Sequence, residues 1–229
     1  MRNIPFTSSF GIILLAFFFS CTPYFKSANF DTLTADHTKV AVVPFEMIFT
    51  GVKPDQLTEA DIFYIEEAES QAFQISFYNE ILRSTKRGKK ALQVEVQHYQ
   101  ATLKLLEKEG VTIRSSWEYS PQELADLLGV DAVVRARIEK ARFMSDLASY
   151  GIELSVQVIN ILTNYQLLPW LPMVSTHNKA ITADFSLFEQ QEGLVLWSIN
   201  FDKGADWRQP ANEIIDQISR RAAKKFPYR

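Results

Sequence analysis

A single cysteine, Cys21, lies directly behind an apolar run from Phe10 to Phe19. One cysteine cannot form a disulfide within the chain, so the fold has to be stabilised by packing. The run is about ten residues long, follows a short start that carries Arg2, and is too short to span a bilayer as a helix. These features are typical of a secretory signal, and we expect residues 1–20 to be a signal peptide that is removed.

The residues before the cysteine predict its modification. Phe18, Phe19 and Ser20 resemble a relaxed bacterial lipobox, in which Ser20 supplies the small residue although the usual Leu at the third position before Cys21 is missing. Cleavage after Ser20 leaves a terminal thiol that can take a diacylglycerol, which tethers the mature chain to a membrane without crossing it. The alternatives are a chance cysteine behind an ordinary signal and a buried thiol in an apolar anchor. We predict lipidation at Cys21.

Composition bounds the class of the mature protein. Roughly 210 residues follow the signal, which is enough for one domain with a sizeable core. Hydrophobic residues at 47% and charged residues at 22% match globular usage, and a net charge of −3 gives no general attraction to nucleic acid. We predict one domain over residues 39–229, preceded over residues 21–38 by a flexible tether rich in Ser, Thr, Asn and Asp.

The first half of the domain shows strand and helix patterns in turn. In the segment from Lys39 to Phe45, an unbroken apolar run of valines and one alanine at residues 40–43 ends at Pro44. It predicts a central strand covered on both faces. Thr58 and Asp61 predict a capping box at the start of a long amphipathic helix. That helix ends in a basic cluster at residues 86–90, which is more typical of a solvated helix terminus than of a phosphate site.

The next elements have clear boundaries. Alternation over residues 92–97 predicts a strand nearer an edge of the sheet, and a short helix is expected before Gly110. Ser120, Pro121 and Glu123 predict the start of a further helix, which Gly129 ends. Residues 131–138 then alternate, with Ala132, Val134, Ala136 and Ile138 on one face.

The C-terminal pattern completes the expected fold. Two alternating segments, 181–187 and 195–201, predict a hairpin, and an amphipathic helix from Ile214 to Phe226 is halted by Pro227. We predict an α/β fold with a single domain, in which a mixed β-sheet of about five strands with a C-terminal hairpin is packed by a long N-terminal helix and a C-terminal helix.

An apolar insertion at residues 144–177 interrupts this pattern. Residues 152–158 alternate like a strand, but a helix opened by Ser145 and Asp146 fits residues 147–165 better. The loop that follows, with two prolines, is either folded over the core or offered to a partner or a membrane surface. In the second case the contact residues would be Tyr165, Trp170, Leu171 and Pro172.

No motif for catalysis is present in the sequence. A Gly-rich phosphate loop, a nucleophile elbow and a paired-His helix motif are all absent, and His37, His98 and His177 are far apart. We therefore predict no catalytic residues, no metal and no cofactor. A pair of carboxylates for glycoside chemistry stays open, because their spatial separation cannot be seen in a sequence.

Four segments resemble one superfamily of bacterial envelope lipoproteins. They are Val-Ala-Val-Val-Pro-Phe at 40–45, the stretch from Glu123 to Val134, Gly-Leu-Val-Leu-Trp-Ser at 193–198 and Lys-Lys-Phe-Pro-Tyr at 224–228. The superfamily includes the curli-export lipoprotein, the lipoprotein activators of penicillin-binding proteins and the TolB amino-terminal domain. The resemblance implies a scaffold for adaptors or pore builders rather than for enzymes, and it brings no catalytic residues.

The sequence thus favours a non-catalytic binding or assembly module of the bacterial cell envelope. We expect it to be bound to a membrane through its lipid, to face the periplasm at the outer membrane, to have an envelope protein as partner, and not to bind nucleic acid. An oligomeric component of a secretion or channel complex is the first alternative, so a homo-oligomer stays open. The second is a cell-wall hydrolase with an unrecognised carboxylate pair.

Overall fold

The computed structural model describes residues 24–87, 91–143, 147–166, 181–203 and 209–229. The strands in these ranges are β1 (Tyr24–Lys26), β2 (Lys39–Val42), β3 (Glu46–Phe49), β4 (Glu95–Val96), β5 (Ala132–Lys140), β6 (Ile181–Glu189) and β7 (Val195–Lys203). The α-helices there are α1 (Phe30–Leu33), α2 (Glu59–Arg87), α3 (Tyr99–Lys108), α4 (Ile113–Ser116), α5 (Pro121–Leu128), α6 (Val156–Gln166) and α7 (Ala211–Ala223).

All the strands belong to one mixed sheet. Its order is β1-β7-β6-β5-β2-β4, and β3 pairs with β5 beyond the end of β2. The strands β2, β3 and β4 run parallel to their partners, whereas β5, β6, β7 and β1 form antiparallel pairs. The predicted α/β class, mixed sheet and C-terminal hairpin are confirmed, and β1 and β3 are additional strands.

Strand β2 is covered on both faces, as the unbroken apolar run predicts. Val40 and Val42 face a core that includes side chains of α2 and α7. Ala41 and Val43 face a second core, to which α3 and α5 contribute. Successive side chains of a strand point to opposite faces, so both cores require apolar residues in sequence. The central sheet therefore lies between two layers of helices.

An aromatic cluster joins α2 to the sheet. The Phe77 ring of α2 lies 5.9 Å from the ring of Phe45, 5.0 Å from that of Phe185 on β6 and 6.3 Å from that of Phe226 behind α7. All four side chains are buried. Rings at these separations contribute packing beyond the area they bury, so the cluster holds elements from both ends of the chain together.

Helix boundaries follow the capping signals. The Thr58 hydroxyl donates to the Asp61 carboxylate at 2.6 Å and accepts from the Asp61 amide at 3.1 Å, which confirms the predicted capping box. Ser120 and Glu123 form the same box at α5, and Gly129 ends that helix with φ of 62°. Helix α2 reaches Arg87, and the basic residues beyond it lie outside the described ranges. No described helix is both long and apolar enough to span a bilayer.

Three predicted boundaries were wrong. The helix in the apolar insertion begins at Val156 rather than near Ser145, because the Ser155 hydroxyl accepts from the Val158 amide at 3.2 Å and caps it there. The strand expected over residues 92–97 is reduced to Glu95–Val96, although it does lie at an edge of the sheet. The last helix ends at Ala223, before Pro227, and Phe226 is buried beyond its end.

The segment expected as a flexible tether contains structure from Tyr24 onward. Tyr24–Lys26 pairs with β7, and Phe30 is only 2% exposed, with its ring 5.2 Å from that of Tyr228. The prediction weighed the polar residues and neglected the aromatic ones, which bury enough area to hold a short segment against the domain. For residues 24–33 the tether is therefore replaced by an edge strand and a helical turn.

Truncation of Phe30 tests this correction. We expect Phe30→Ala to lower the free energy of unfolding by about 3–5 kcal/mol, since a buried ring is lost. The matched control Phe25→Ala removes a ring that is 50% exposed, and it should cost less than about 1 kcal/mol. Urea unfolding of both variants measures the two free energies of unfolding. Equally small losses in both variants would support the flexible tether instead.

Candidate functional site

Arg114 of α4 and Phe63 of α2 line two adjoining open hollows beside the first turns of α2, which together we call the groove. Tyr64, Glu67 and Glu118 line one hollow, and Glu46, Phe49, Lys53, Glu59 and Glu66 line the other. The guanidinium of Arg114 is 4.0 Å from the ring centroid of Phe63 and 5.0 Å from that of Trp117. It also forms an ion pair and a hydrogen bond with Glu66, whose side chain is 9% exposed. The aromatic faces and the carboxylate both attract the cation, so Arg114 is held in one place.

Local structure positions this arginine. The Thr112 hydroxyl accepts from the Ser115 amide at 3.1 Å and closes a capping box that starts the short helix α4. The chain that leaves α4 is fixed by Arg135 of β5, which donates to the carbonyls of Trp117 and Tyr119 at 2.7 Å each. Burial lowers the pKa of Arg135 from its ordinary value. Strand β5 of the sheet thus fixes the position of the segment that follows α4 at the groove.

Two neighbouring aromatic side chains of α2 are exposed at this groove. Phe63 is 46% exposed and Tyr64 is 50% exposed. The Tyr64 hydroxyl donates to the carbonyl of Glu153 at 2.5 Å, which orients its ring. Tyrosine and arginine are enriched among the residues that dominate the energy of protein interfaces. The arrangement is suited to binding a partner.

The groove carries an excess of negative charge. Its cations are Lys53 and Arg114, and Lys53 is paired with Glu59 at 2.6 Å. The carboxylates that line it are those of Glu46, Glu59, Glu66, Glu67 and Glu118. More carboxylates than cations around exposed rings favour a partner segment with a basic side chain.

A buried ion pair lies close to the groove. Nζ of Lys140, at the end of β5, is 2.5 Å from a carboxylate oxygen of Glu69 on α2, and both side chains are 0% exposed. The ammonium is also 4.5 Å from the ring centroid of Phe143, which stacks on Phe49 of the groove at 4.0 Å. Paired charges in a dry site fix relative position because either one alone is costly. The pair holds α2 against the end of β5.

Removal of one partner of this pair tests its role. We expect Glu69→Leu and Lys140→Met each to lower the free energy of unfolding by about 3–5 kcal/mol, because an uncompensated charge is left buried. The double variant should recover most of that loss, because no charge remains to be desolvated. Urea unfolding of the four proteins measures the coupling, and additive losses in the double variant would contradict it.

The residues proposed as sites from the sequence lie almost wholly outside the described ranges. Cys21, Trp170, Leu171 and Pro172 are not described, and Tyr165 is placed only by its backbone, in the last turn of α6. Lipidation at Cys21 and contacts by the loop therefore stay predictions.

Two histidines have structural contacts. Nδ1 of His37 is 2.6 Å from the Tyr228 hydroxyl, burial lowers the pKa of His37, and burial raises that of Tyr228. His98 caps α3 by accepting from the Gln100 amide at 3.2 Å and stacks on Tyr99. His177 lies outside the described ranges. In the part of the chain that is described, no three His, Cys, Asp or Glu side chains are grouped to hold a metal ion.

The groove was not found by sequence reasoning, although one signal was present. Phe63 and Tyr64 fall outside the apolar face of α2, which carries Ile62, Ile65 and Phe77. Large aromatic residues off the buried face of a helix indicate an interaction surface. The partners of Arg114 could not be found in this way. Glu66 is 48 residues away in the chain and meets Arg114 only through the fold.

No protein-family model matches the chain, and no curated protein matches it. Among solved structures, the chain is similar to the PelC dodecamer from Paraburkholderia phytofirmans at 13% identity and a TM-score of 0.40, covering 84% of this chain and 89% of that one. Lipoprotein GNA1162 from Neisseria meningitidis matches at 11% and 0.44, over 82% and 96% of the two chains. The LpoB C-terminal domain from Salmonella enterica matches at 12% and 0.35, over 76% and 91%.

Proposed function

We propose that this protein is a lipid-anchored, non-catalytic binding or assembly module of a bacterial cell envelope. The observation that carries the proposal is the position of Cys21 directly behind a short apolar signal and Ser20. A thiol at that position can be acylated and then confines the domain to one membrane. Confinement raises the local concentration of the domain beside its neighbours, so a weak protein contact is enough for function.

The groove around Arg114 supplies the binding surface in this proposal. Its exposed rings, Phe63 and Tyr64, offer apolar area, and its carboxylates attract a cation. The occupant that fits is a segment of an envelope protein that presents a lysine or arginine next to apolar side chains. Such a contact requires no catalytic group, and the sequence contains none of the catalytic motifs considered above.

Replacement of Cys21 tests the anchor. We expect Cys21→Ala to release the protein from membranes into the periplasmic fraction, because no thiol is left to carry the acyl chains. Fractionation of cells with a carbonate wash measures the release. A second version, secreted behind an ordinary cleavable signal, controls for a signal that stays uncut in the variant. Quantitative membrane recovery of that version, or an unlipidated amino end in mass spectrometry of the native protein, would contradict the proposal.

Charge reversal tests the groove. A photoreactive residue in place of Tyr64 in the full chain should give one discrete protein adduct in cells. We expect Glu67→Lys with Glu118→Lys to abolish that adduct, since a basic segment is then repelled. The matched control, Glu107→Lys with Glu109→Lys on exposed positions at the end of α3, makes the same change in net charge and should leave it intact. Equal loss in both would refute the site, and an adduct with a second copy of the chain would favour the oligomeric alternative.

A further inference from the structure

The edge of the sheet at β1 exposes a group of apolar side chains. Tyr24 is 48% exposed and Phe25 is 50% exposed, and in the register they lie opposite Ile199 and Ser198 of β7. The Ser27 amide donates to the Leu196 carbonyl at 2.9 Å, so the same edge continues to Leu194 and Val195, which are 42% and 39% exposed. Successive side chains of a strand point to opposite faces of the sheet, so Tyr24 and Phe25 extend from opposite faces at this edge.

The length of chain between this edge and the proposed anchor is very short. Only Thr22 and Pro23 separate Cys21 from Tyr24. Three residue steps span at most about 11 Å even when fully extended. The headgroup layer on each side of a bilayer is about 5–8 Å thick. A diacylglycerol on the thiol of Cys21 therefore leaves the β1 edge no room to move far from the lipid headgroups.

Cationic side chains accompany the exposed rings. Nζ of Lys225, behind α7, is 5.2 Å from the ring centroid of Tyr24, and Lys225 is exposed. Nζ of Lys26 lies 4.3 Å from the ring centroid of Phe30 and 3.2 Å from the Asp31 carboxylate. Aromatic side chains favour the interface between water and hydrocarbon, and lysines favour the phosphates above it. The chemistry of this edge suits a lipid surface.

We propose that the β1 edge is a membrane-docking surface, with Tyr24 and Phe25 in the headgroup layer of the bilayer that holds acylated Cys21 and with Lys225 at the lipid phosphates. This inference rests on the lipidation proposed above, and it adds the orientation of the domain. Strand β3, which lines the groove, pairs with β5 on the side away from β6 and so lies four strand spacings from β1. That separation is about 19 Å at the spacing of paired strands, so a docked edge leaves the groove open.

The lone cysteine makes the test direct. Once Cys21 is acylated, a cysteine introduced by Phe25→Cys is the only free thiol of the full chain and can carry a spin label. The probe surface is a vesicle of phosphatidylethanolamine and phosphatidylglycerol that contains the acylated protein. The matched control is Phe63→Cys, because Phe63 has similar exposure but lies on α2 at the groove. Val195→Cys gives a second site on the docking edge if the first variant folds poorly.

We expect the label at position 25 to be several-fold less accessible to a water-soluble nickel chelate than the label at position 63, and more accessible to oxygen. Equal nickel accessibility at positions 25 and 63 in acylated protein would overturn the docking surface while leaving the anchor in place. Strong coupling between labels at position 25 in dilute vesicles would also overturn it, because a second copy would then cover the edge. Intact mass measurement of the same sample reports acylation separately, and a free Cys21 would overturn the anchor itself.

Discussion

The contact between Phe77 and the rings of the sheet is the interaction on which the fold depends. Phe77 meets Phe45 between two parallel strands, Phe185 in the hairpin and Phe226 after the last helix. These residues are widely spaced in the chain, and with a single cysteine no intramolecular disulfide cross-links them. Close packing of large rings is sensitive to the loss of any one of them, so the cluster couples α2, the sheet and the segment behind α7 to one another.

Much of the fold could be predicted because its signals are local. The Thr58 and Ser120 capping boxes, the run at 40–43 and the alternation of 181–187 all act within a few residues and all appear in the structure. The additional strand β1 was missed because three residues are too short for a periodicity. Strand β1 is held in place by its pairing with β7. The contact of nearby Phe30 with Tyr228, at the other end of the chain, also holds this segment.

The candidate site could not be predicted in the same way, because it depends on charges that meet only after folding. Arg114 forms an ion pair with Glu66, and Lys140 forms one with Glu69. Both carboxylates lie within a single turn of α2. Placing two acidic residues three positions apart on α2 anchors one end of the sheet and one wall of the groove together. A sequence shows these carboxylates as unremarkable members of an amphipathic helix, and only the structure shows that both are buried.

The pairing of β1 with β7 has a consequence for how far the protein can reach. Because Tyr24 is already paired with β7, a domain anchored through Cys21 as proposed would have almost no slack and could not search the space above its bilayer as a domain on a long linker would. The distance from the bilayer at which such a domain can contact a partner is then set by the size of the domain. Helix α2 indicates that size, since its 29 residues extend about 44 Å. A partner of a domain anchored in the proposed way would have to come within that range of the lipid surface, or be held in the same membrane itself.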